Sequence, residues 1–183
     1  MKTLITIVLF LASLNNAFSQ SQNSNGVYLT SNDFLAANIH LKGDRKQVKI
    51  CTDLIFNPMY IRVKSEGKKY YFHKDSIWGI SDNKHINRIS KSNSYTVIAS
   101  SGILLYSQRD HGRHMRLYYY FSETASSPVL LLTVENLKKS FGDNKKFHEL
   151  MNSLNLKTND LAFYDKNSKA YKIVSVYKQS IEK

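Results

Sequence analysis

The pattern of hydrophobic and polar positions divides the chain into a β part and a helical part. Between Val27 and Leu132, short apolar runs alternate with turn residues, and Gln47 to Thr52 and Met59 to Lys64 alternate apolar with charged positions. From Thr133 onward the apolar residues follow a helical period. The sequence therefore predicts an α+β fold, in which an antiparallel β-meander, open or barrel-like, is followed by short C-terminal helices packed on it.

The most aromatic-rich stretch, Gly67 to Asp82, predicts two strands joined by the polar corner Lys74-Asp75-Ser76. Three consecutive rings, Tyr70 to Phe72, cover both faces of the first strand and predict that it is flanked on both sides. In the second strand, Gly79 indicates a bulge or the close approach of a neighbouring ring. We interpret this stretch as the central hairpin of the core, with Tyr70 and Phe72 facing opposite to Tyr71 and with Trp78 buried.

Helix signals occur at one place near the start of the chain and at four places after the sheet. Thr30 followed by Asp33 resembles a capping box and predicts a short helix over Asp33 to Ala37. The later helices are one capped by Thr133, one that begins after Asp143 or Asn144, one around Leu161 to Tyr164, and a last one with an apolar stripe from Ala170 to Ile181. Tyr171 to Val174 could also be a strand.

The first residues have the pattern of an export signal. Lys2 gives a positive start, Ile5 to Leu11 is apolar, and Ala17-Phe18-Ser19 suits a cleavage site. We expect a signal peptide at 1–19, a flexible leader at 20–26 and a single α+β domain at 27–183, mainly β over 27–132 and mainly α over 133–183. No later run approaches the roughly 20 apolar residues of a membrane-spanning helix, so the expected location is periplasmic or secreted.

The charge of the chain predicts its class of partner. The sequence carries 26 Lys and Arg against 14 Asp and Glu, a formal net charge of +12, which cleavage after Ser19 lowers by one. Such an excess attracts anionic partners, although the basic residues are scattered and form no dedicated tail. Export argues against nucleic acid as the partner and favours an anionic glycan, a lipid head group or an envelope protein.

Catalytic and cofactor motifs are missing from the sequence. It contains no Gly-x-Ser-x-Gly elbow, no Walker A or Gly-x-Gly-x-x-Gly loop and no His-Glu-x-x-His motif, so no cofactor is predicted. His111 and His114 have the sharpest metal-like spacing, and with His73 or His85 they could make a three-ligand site. The lone thiol, Cys51, is predicted to be a small buried hydrophobic residue, with an intermolecular disulfide or a nucleophile as alternatives.

The positive signal that is left is a set of cations interleaved with aromatic residues. The candidate binding residues are Lys68, Lys69, Arg109, Arg113 and Arg116, next to the rings of 70–72 and 118–121. The leading hypothesis is an exported, non-enzymatic domain that binds an anionic envelope or extracellular partner. The alternatives are a small hydrolase or metal-dependent enzyme that uses His111 and His114, and a structural or assembly protein of the cell envelope.

Several short motifs between Gly67 and Tyr177 carry a family resemblance. They are Gly67-Lys68-Lys69-Tyr70, Ile77-Trp78-Gly79, Tyr119-Tyr120-Phe121-Ser122, Asn136-Leu137-Lys138-Lys139, Lys146-Phe147-His148, Tyr164-Asp165 and Tyr171-Lys172. In these motifs the chain resembles an uncharacterised family of small exported proteins of Bacteroidetes-type bacteria. The resemblance implies export and a single domain, and it implies no activity or catalytic residues.

Overall fold

A computed structural model describes residues 24–110 and 116–182 of the chain. The predicted signal peptide, the first four residues of the predicted leader and His111 to Met115 lie outside the described residues. The chain divides into two compact units, Met1–Thr96 and Val97–Lys183. The α+β prediction is confirmed, since antiparallel sheets are followed by C-terminal helices, and of the two predicted forms the sheet takes the open one. The prediction of a single domain stays a prediction.

The first unit contains two antiparallel sheets and one short helix. Its elements are β1 (Asn25–Tyr28), α1 (Ser31–Leu35), β2 (His40–Gly43), β3 (Val48–Cys51), β4 (Tyr60–Ser65), β5 (Lys68–His73), a 3₁₀ turn (Lys74–Ser76), β6 (Gly79–Asp82), β7 (Ile86–Ser90) and β8 (Asn93–Ala99), which continues into the second unit. One sheet has the order β8-β7-β6-β1-β2, and the other has the order β3-β4-β5. The strand β2 had no counterpart in the sequence prediction.

The two sheets of the first unit share a hydrophobic core. The alternation predicted for β3 and β4 is confirmed, because Ile61 and Val63 are fully buried while Arg62 and Lys64 lie on the other side of the strand. The core side chains of the three-stranded sheet pack against those of the larger sheet in one cluster of buried residues: Val27, Val48, Ile61, Val63, Ile77, Ile80 and Ile89. One face of the three-stranded sheet is therefore in the core, and the other is left open.

The prediction of a central hairpin over Gly67 to Asp82 is wrong. β5 pairs with β4, whereas β6 pairs with β1 and β7, so the two aromatic strands belong to different sheets. β5 is also not flanked on both sides, because its Tyr71 face is exposed, and it is an edge strand of its sheet. The expected facing is confirmed, since Phe72 packs against the core while Tyr71 is 55% exposed. Local aromatic content indicates a strand, but it does not specify which strand will be its neighbour.

Trp78 is buried, as predicted, at 7% exposure, within a cluster of rings. Phe34 of α1 stacks on it with ring centroids 4.0 Å apart, and Tyr28 contacts both rings edge-on. The Thr30–Asp33 capping box that begins α1 is present. The close approach expected at Gly79 is also present, but the neighbour is the backbone carbonyl of Asn87 rather than a ring. A Cβ atom at position 79 would lie 2.4 Å from that carbonyl oxygen, so only glycine fits there.

The second unit combines a small antiparallel sheet with the C-terminal helices. Its elements after β8 are β9 (Leu104–Arg109), β10 (Leu117–Ser122), β11 (Leu130–Leu131), α2 (Val134–Ser140), α3 (Lys145–Ser153), α4 (Thr158–Leu161), β12 (Tyr164–Asp165), β13 (Ala170–Tyr171) and α5 (Lys172–Ile181). Strands and helices share one core, which includes Leu105, Phe121, Leu137, Phe147, Met151 and Ile173. Among the described residues, no helix has both the length and the apolar character needed to cross a bilayer.

The predicted helix starts are confirmed at two caps and corrected elsewhere. The side chains of Thr133 and Asn144 accept backbone hydrogen bonds at the starts of α2 and α3. The third helix ends at Leu161, because Tyr164 pairs with Tyr171 in a two-stranded sheet. The alternative of a strand over Tyr171 to Val174 therefore holds only for its first residue, and α5 begins at the next one.

Candidate functional site

The open face of the three-stranded sheet carries cations and aromatic rings. Successive side chains of a strand point to opposite faces, so every residue that alternates with the core positions of β3, β4 and β5 lies on this side. These residues, which we call the open face, are Lys49, Cys51, Tyr60, Arg62, Lys64, Lys69, Tyr71 and His73. The open face itself contains no carboxylate.

Three lysines lie side by side across the sheet. Lys49 is paired with Lys64, and Lys64 is paired with Lys69, in the registers of β3 with β4 and of β4 with β5. All three are exposed, and we call them the lysine row. Directly opposed residues have Cβ atoms about 5 Å apart, and like charges at such positions destabilise a sheet. Within residues 24–110 and 116–182, no carboxylate lies within ion-pair distance of the lysine row.

The two neighbouring rows of the open face add aromatic rings and a further cation. Arg62 lies between Cys51 and Tyr71, and the row beyond pairs Tyr60 with His73, whose rings meet edge-on with centroids 5.1 Å apart. His73 accepts a hydrogen bond at Nδ1 from the backbone N–H of Asp75 at 3.3 Å. Because an Nδ1 that accepts carries no proton, the 3.9 Å contact of His73 with the Asp75 carboxylate is not an ion pair in this arrangement.

The register that aligns the lysines is set by a tight turn. Glu66 and Gly67 form the two-residue loop between β4 and β5, with φ angles of +51° and +78°. Positive φ at both loop positions is what a type I′ hairpin requires, and glycine adopts it without strain. The turn pairs Ser65 with Lys68, and this pairing places Lys64 opposite Lys69. A slip of one residue would move every side chain of β5 to the other face.

Two open grooves extend the positive surface around β3. One, of about 570 Å³, lies beside the lysine row and is lined by Lys42, Lys46, Lys49 and Lys64 together with Glu66. The other, of about 570 Å³, lies at the edge of β3 and is lined by Arg45, Lys49 and Lys84 together with Asp82. Asp82 is engaged in its own turn, where it accepts hydrogen bonds from the backbone N–H groups of Lys84 and His85. Lys49 therefore belongs to both grooves and to the lysine row.

The sequence-predicted binding residues are divided between several places. Lys69 lies in the lysine row, but Lys68 faces Ser65 and lies on the opposite side of β5. Arg109 ends β9 and Arg116 precedes β10, so both belong to the second unit, where each is exposed. Arg113 lies outside the described residues. The structure therefore supports one of the five candidates as part of the open face and adds Lys49, Lys64 and Arg62.

The structure leaves the metal prediction untested and corrects the prediction for the thiol. His111 and His114 lie outside the described residues, so the metal hypothesis that rests on them stays a prediction. In the part of the chain that the structure describes, no group of three or more His, Cys, Asp or Glu residues could hold a metal ion. Cys51 is half-buried rather than buried, because it alternates with Ile50 and so shares the open face with Lys49.

Comparisons with models of protein families, with curated proteins and with solved structures gave no match. The resemblance to small exported proteins of Bacteroidetes-type bacteria therefore stays a hypothesis. The candidate site rests on the geometry of the open face alone: three opposed lysines, an arginine and flanking tyrosines on one side of a three-stranded sheet.

Proposed function

We propose that this protein is an exported, non-enzymatic binding module whose open face holds a multivalent anionic partner in the cell envelope or outside the cell. The lysine row is the observation that carries the proposal. Three like charges in register reduce the stability of the sheet, and none of them has a carboxylate within ion-pair distance in the described part of the chain. An anion that bridges adjacent ammonium groups removes this repulsion, so that binding also relieves strain in the free protein.

The geometry of the open face suits an extended anionic surface better than a small enclosed ligand. Neighbouring strands lie about 4.8 Å apart, so the lysine row presents its charges along a line of roughly 10 Å. Lysine ammonium groups act as flexible point charges, whereas the guanidinium of Arg62 can hold a phosphate, sulfate or carboxylate through two parallel hydrogen bonds. The rings of Tyr60 and Tyr71 give apolar contact beside these charges.

The proposal is tested by removing the lysine row and comparing the result with an equal loss of charge elsewhere. The test variant carries Lys49→Gln, Lys64→Gln and Lys69→Gln. The control carries the same replacement at three exposed lysines of the second unit, Lys139, Lys145 and Lys166. Both variants lose the same net charge, so a difference between them reports the arrangement of the lysines rather than their number.

Binding is measured with dextran sulfate and with vesicles of equimolar phosphatidylglycerol and phosphatidylcholine, each over a range of salt concentrations. A lysine near an anionic surface contributes about 1 kcal/mol, so loss of the row should weaken binding roughly 100-fold at low salt. Wild type and control should bind with a steep salt dependence, because exposed charges are screened. Equal losses in the two variants would mean that diffuse positive charge, and not the open face, is responsible.

A further inference from the structure

The loop between β3 and β4 contains an unusual turn. The N–H of Asn57 donates to the carbonyl of Leu54 at 3.0 Å, and the N–H of Tyr60 donates to the carbonyl of Asn57 at 3.1 Å. The first of these bonds closes a β-turn whose two central residues are Ile55 and Phe56, which we call the apolar tip. The second bond leads the chain directly into β4, so the apolar tip is held at the end of the β3–β4 hairpin.

Large apolar residues have no structural reason to occupy these positions. The central residues of turns are usually Gly, Pro, Asn, Asp or Ser, whose conformations or side-chain hydrogen bonds form the turn. Here Ile55 is 91% exposed and Phe56 is 99% exposed, so neither contributes to a core. Single exposed hydrophobic residues are ordinary, but two adjacent ones at one turn form an apolar patch that an apolar partner can cover.

The order of residues along the hairpin indicates what covers the apolar tip. Next to the tip comes the row of Tyr60 and His73, then the row with Arg62 and Tyr71, and then the lysine row. Lys64 is four residues from Tyr60, a distance of about 13 Å along the strand. Along the hairpin, apolar, aromatic and cationic groups therefore occur in the same order as hydrocarbon, interface and anionic head groups do across a bilayer leaflet.

We infer that the multivalent anionic partner is the surface of an anionic lipid bilayer, into which the apolar tip inserts while the lysine row behind it meets the head groups. This inference rests on the proposed function and names its partner. An anionic glycan would satisfy the lysine row, but it would leave Ile55 and Phe56 in water. The interfacial region accepts apolar side chains to a depth of about 5–10 Å, which is the reach of a single turn.

The test replaces the apolar tip and leaves every charge in place. The variant Ile55→Ser with Phe56→Ser is compared with Phe163→Ser with Ile181→Ser, an identical pair of changes at exposed positions of the second unit, where these residues are 63% and 56% exposed. Both are measured in the secreted form of the protein on vesicles of equimolar phosphatidylglycerol and phosphatidylcholine. All variants share the same N-terminus, so any lipid affinity of that segment cancels.

Loss of each inserted side chain should weaken vesicle binding at least about tenfold, since burying an Ile or Phe side chain is worth more than the 1.4 kcal/mol that tenfold represents. The slope of binding against salt concentration should be unchanged, because no charge has been removed. Binding to dextran sulfate should also be unchanged. The control pair should bind vesicles as the wild type does.

Insertion is detected directly with a tryptophan at the tip. The chain has a single tryptophan, Trp78, which is buried and gives a constant background. In the variant Phe56→Trp, vesicles should shift the emission to shorter wavelength, and lipids brominated on their acyl chains should quench it. The variant Phe163→Trp should show neither effect.

The two proposals fail in different ways. If the tip variant binds vesicles as tightly as the wild type, or if Phe56→Trp is not quenched, the bilayer inference is overturned, and a lysine-dependent affinity for dextran sulfate would still support the proposed function. If the variant without the lysine row keeps its affinity for both probes, the proposed function fails whatever the tip does. Loss of dextran sulfate binding in the tip variant would also overturn the inference, because it would place the tip in contact with soluble anions rather than with lipid.

Discussion

Replacement of Lys64 by threonine should make the free protein more stable while it weakens anion binding. Lys64 is the central member of the lysine row and faces Lys49 on one side and Lys69 on the other. Removing its charge therefore abolishes both cross-strand repulsions at once. The result would be unusual, because most substitutions destabilise a protein.

The size of the gain follows from the register. Like charges directly opposite one another on a sheet destabilise it by about 0.2–1 kcal/mol, so two such pairs predict a gain of about 0.4–2 kcal/mol. Coulomb's law supports the middle of this range, since two ammonium groups about 7 Å apart in water repel by about 0.6 kcal/mol. Threonine also has a higher strand propensity than lysine, which adds a gain unrelated to charge.

The assay is urea denaturation at low and at high salt, with Lys68→Thr as the matched control. Lys68 is exposed on the neighbouring strand but faces Ser65, so its replacement removes the same charge without relieving an opposed pair. At low ionic strength, Lys64→Thr should exceed Lys68→Thr in free energy of unfolding. In about 1 M salt, where the Debye length is about 3 Å, the difference should nearly vanish.

Two results would refute this reasoning. If Lys64→Thr is no more stable than Lys68→Thr at low salt, the three ammonium groups avoid one another by bending away, and the lysine row stores no strain. If the difference persists unchanged in high salt, its origin is packing or propensity rather than charge. In either case the lysine row would no longer support the proposed function.

Three further outcomes concern the fold of the first unit. Trp78→Ala should lower the free energy of unfolding in urea by about 3–5 kcal/mol, because it removes a buried ring that stacks on Phe34; a loss below about 1 kcal/mol would contradict the burial. Gly79→Ala should also destabilise, since its Cβ would lie 2.4 Å from a backbone carbonyl of the next strand, and thermal melting measures the loss. The pKa of Asp33 is lowered from its ordinary value of 3.8, mainly by a hydrogen bond from the Thr30 hydroxyl. Because the folded pKa lies below the unfolded one, the stability that the ionised Asp33 contributes is complete above the unfolded pKa and is lost as the pH falls through the folded pKa. An NMR titration of Asp33 should therefore give a midpoint below 3.8 in the wild type and a higher midpoint in Thr30→Ala.

The local parts of the fold could be predicted from the sequence, because their causes are local. The alternation in β4 follows from period 2, and the starts of α2 and α3 follow from the side chains of Thr133 and Asn144. The partner of β6 could not be predicted in this way. It pairs with β1, about fifty residues earlier in the chain, and such long-range pairing depends on the whole core rather than on the residues of the strand.

The candidate site was predicted only in part for the same reason. Alternation indicates that Lys49 and Lys64 lie on polar faces of their strands, but it does not say that they face each other. For Lys64 and Lys69 the signal was present, since the two-residue loop Glu66-Gly67 fixes the register of β4 with β5. The register of β3 with β4 had no such signal in the sequence, because the eight-residue connection from Thr52 to Met59 permits many registers.

The lysine row and the apolar tip are two features that do not favour folding, and both lie on the β3–β4 hairpin or on the strand beside it. A row of opposed lysines weakens the sheet that carries it, and Ile55 and Phe56 at a turn expose apolar surface without closing the turn any better than polar residues would. Natural proteins keep such local conflicts mainly where function requires them. Either conflict alone could be tolerated by chance. Their occurrence on one hairpin, with tyrosines between them, is what a surface that meets an anionic bilayer needs.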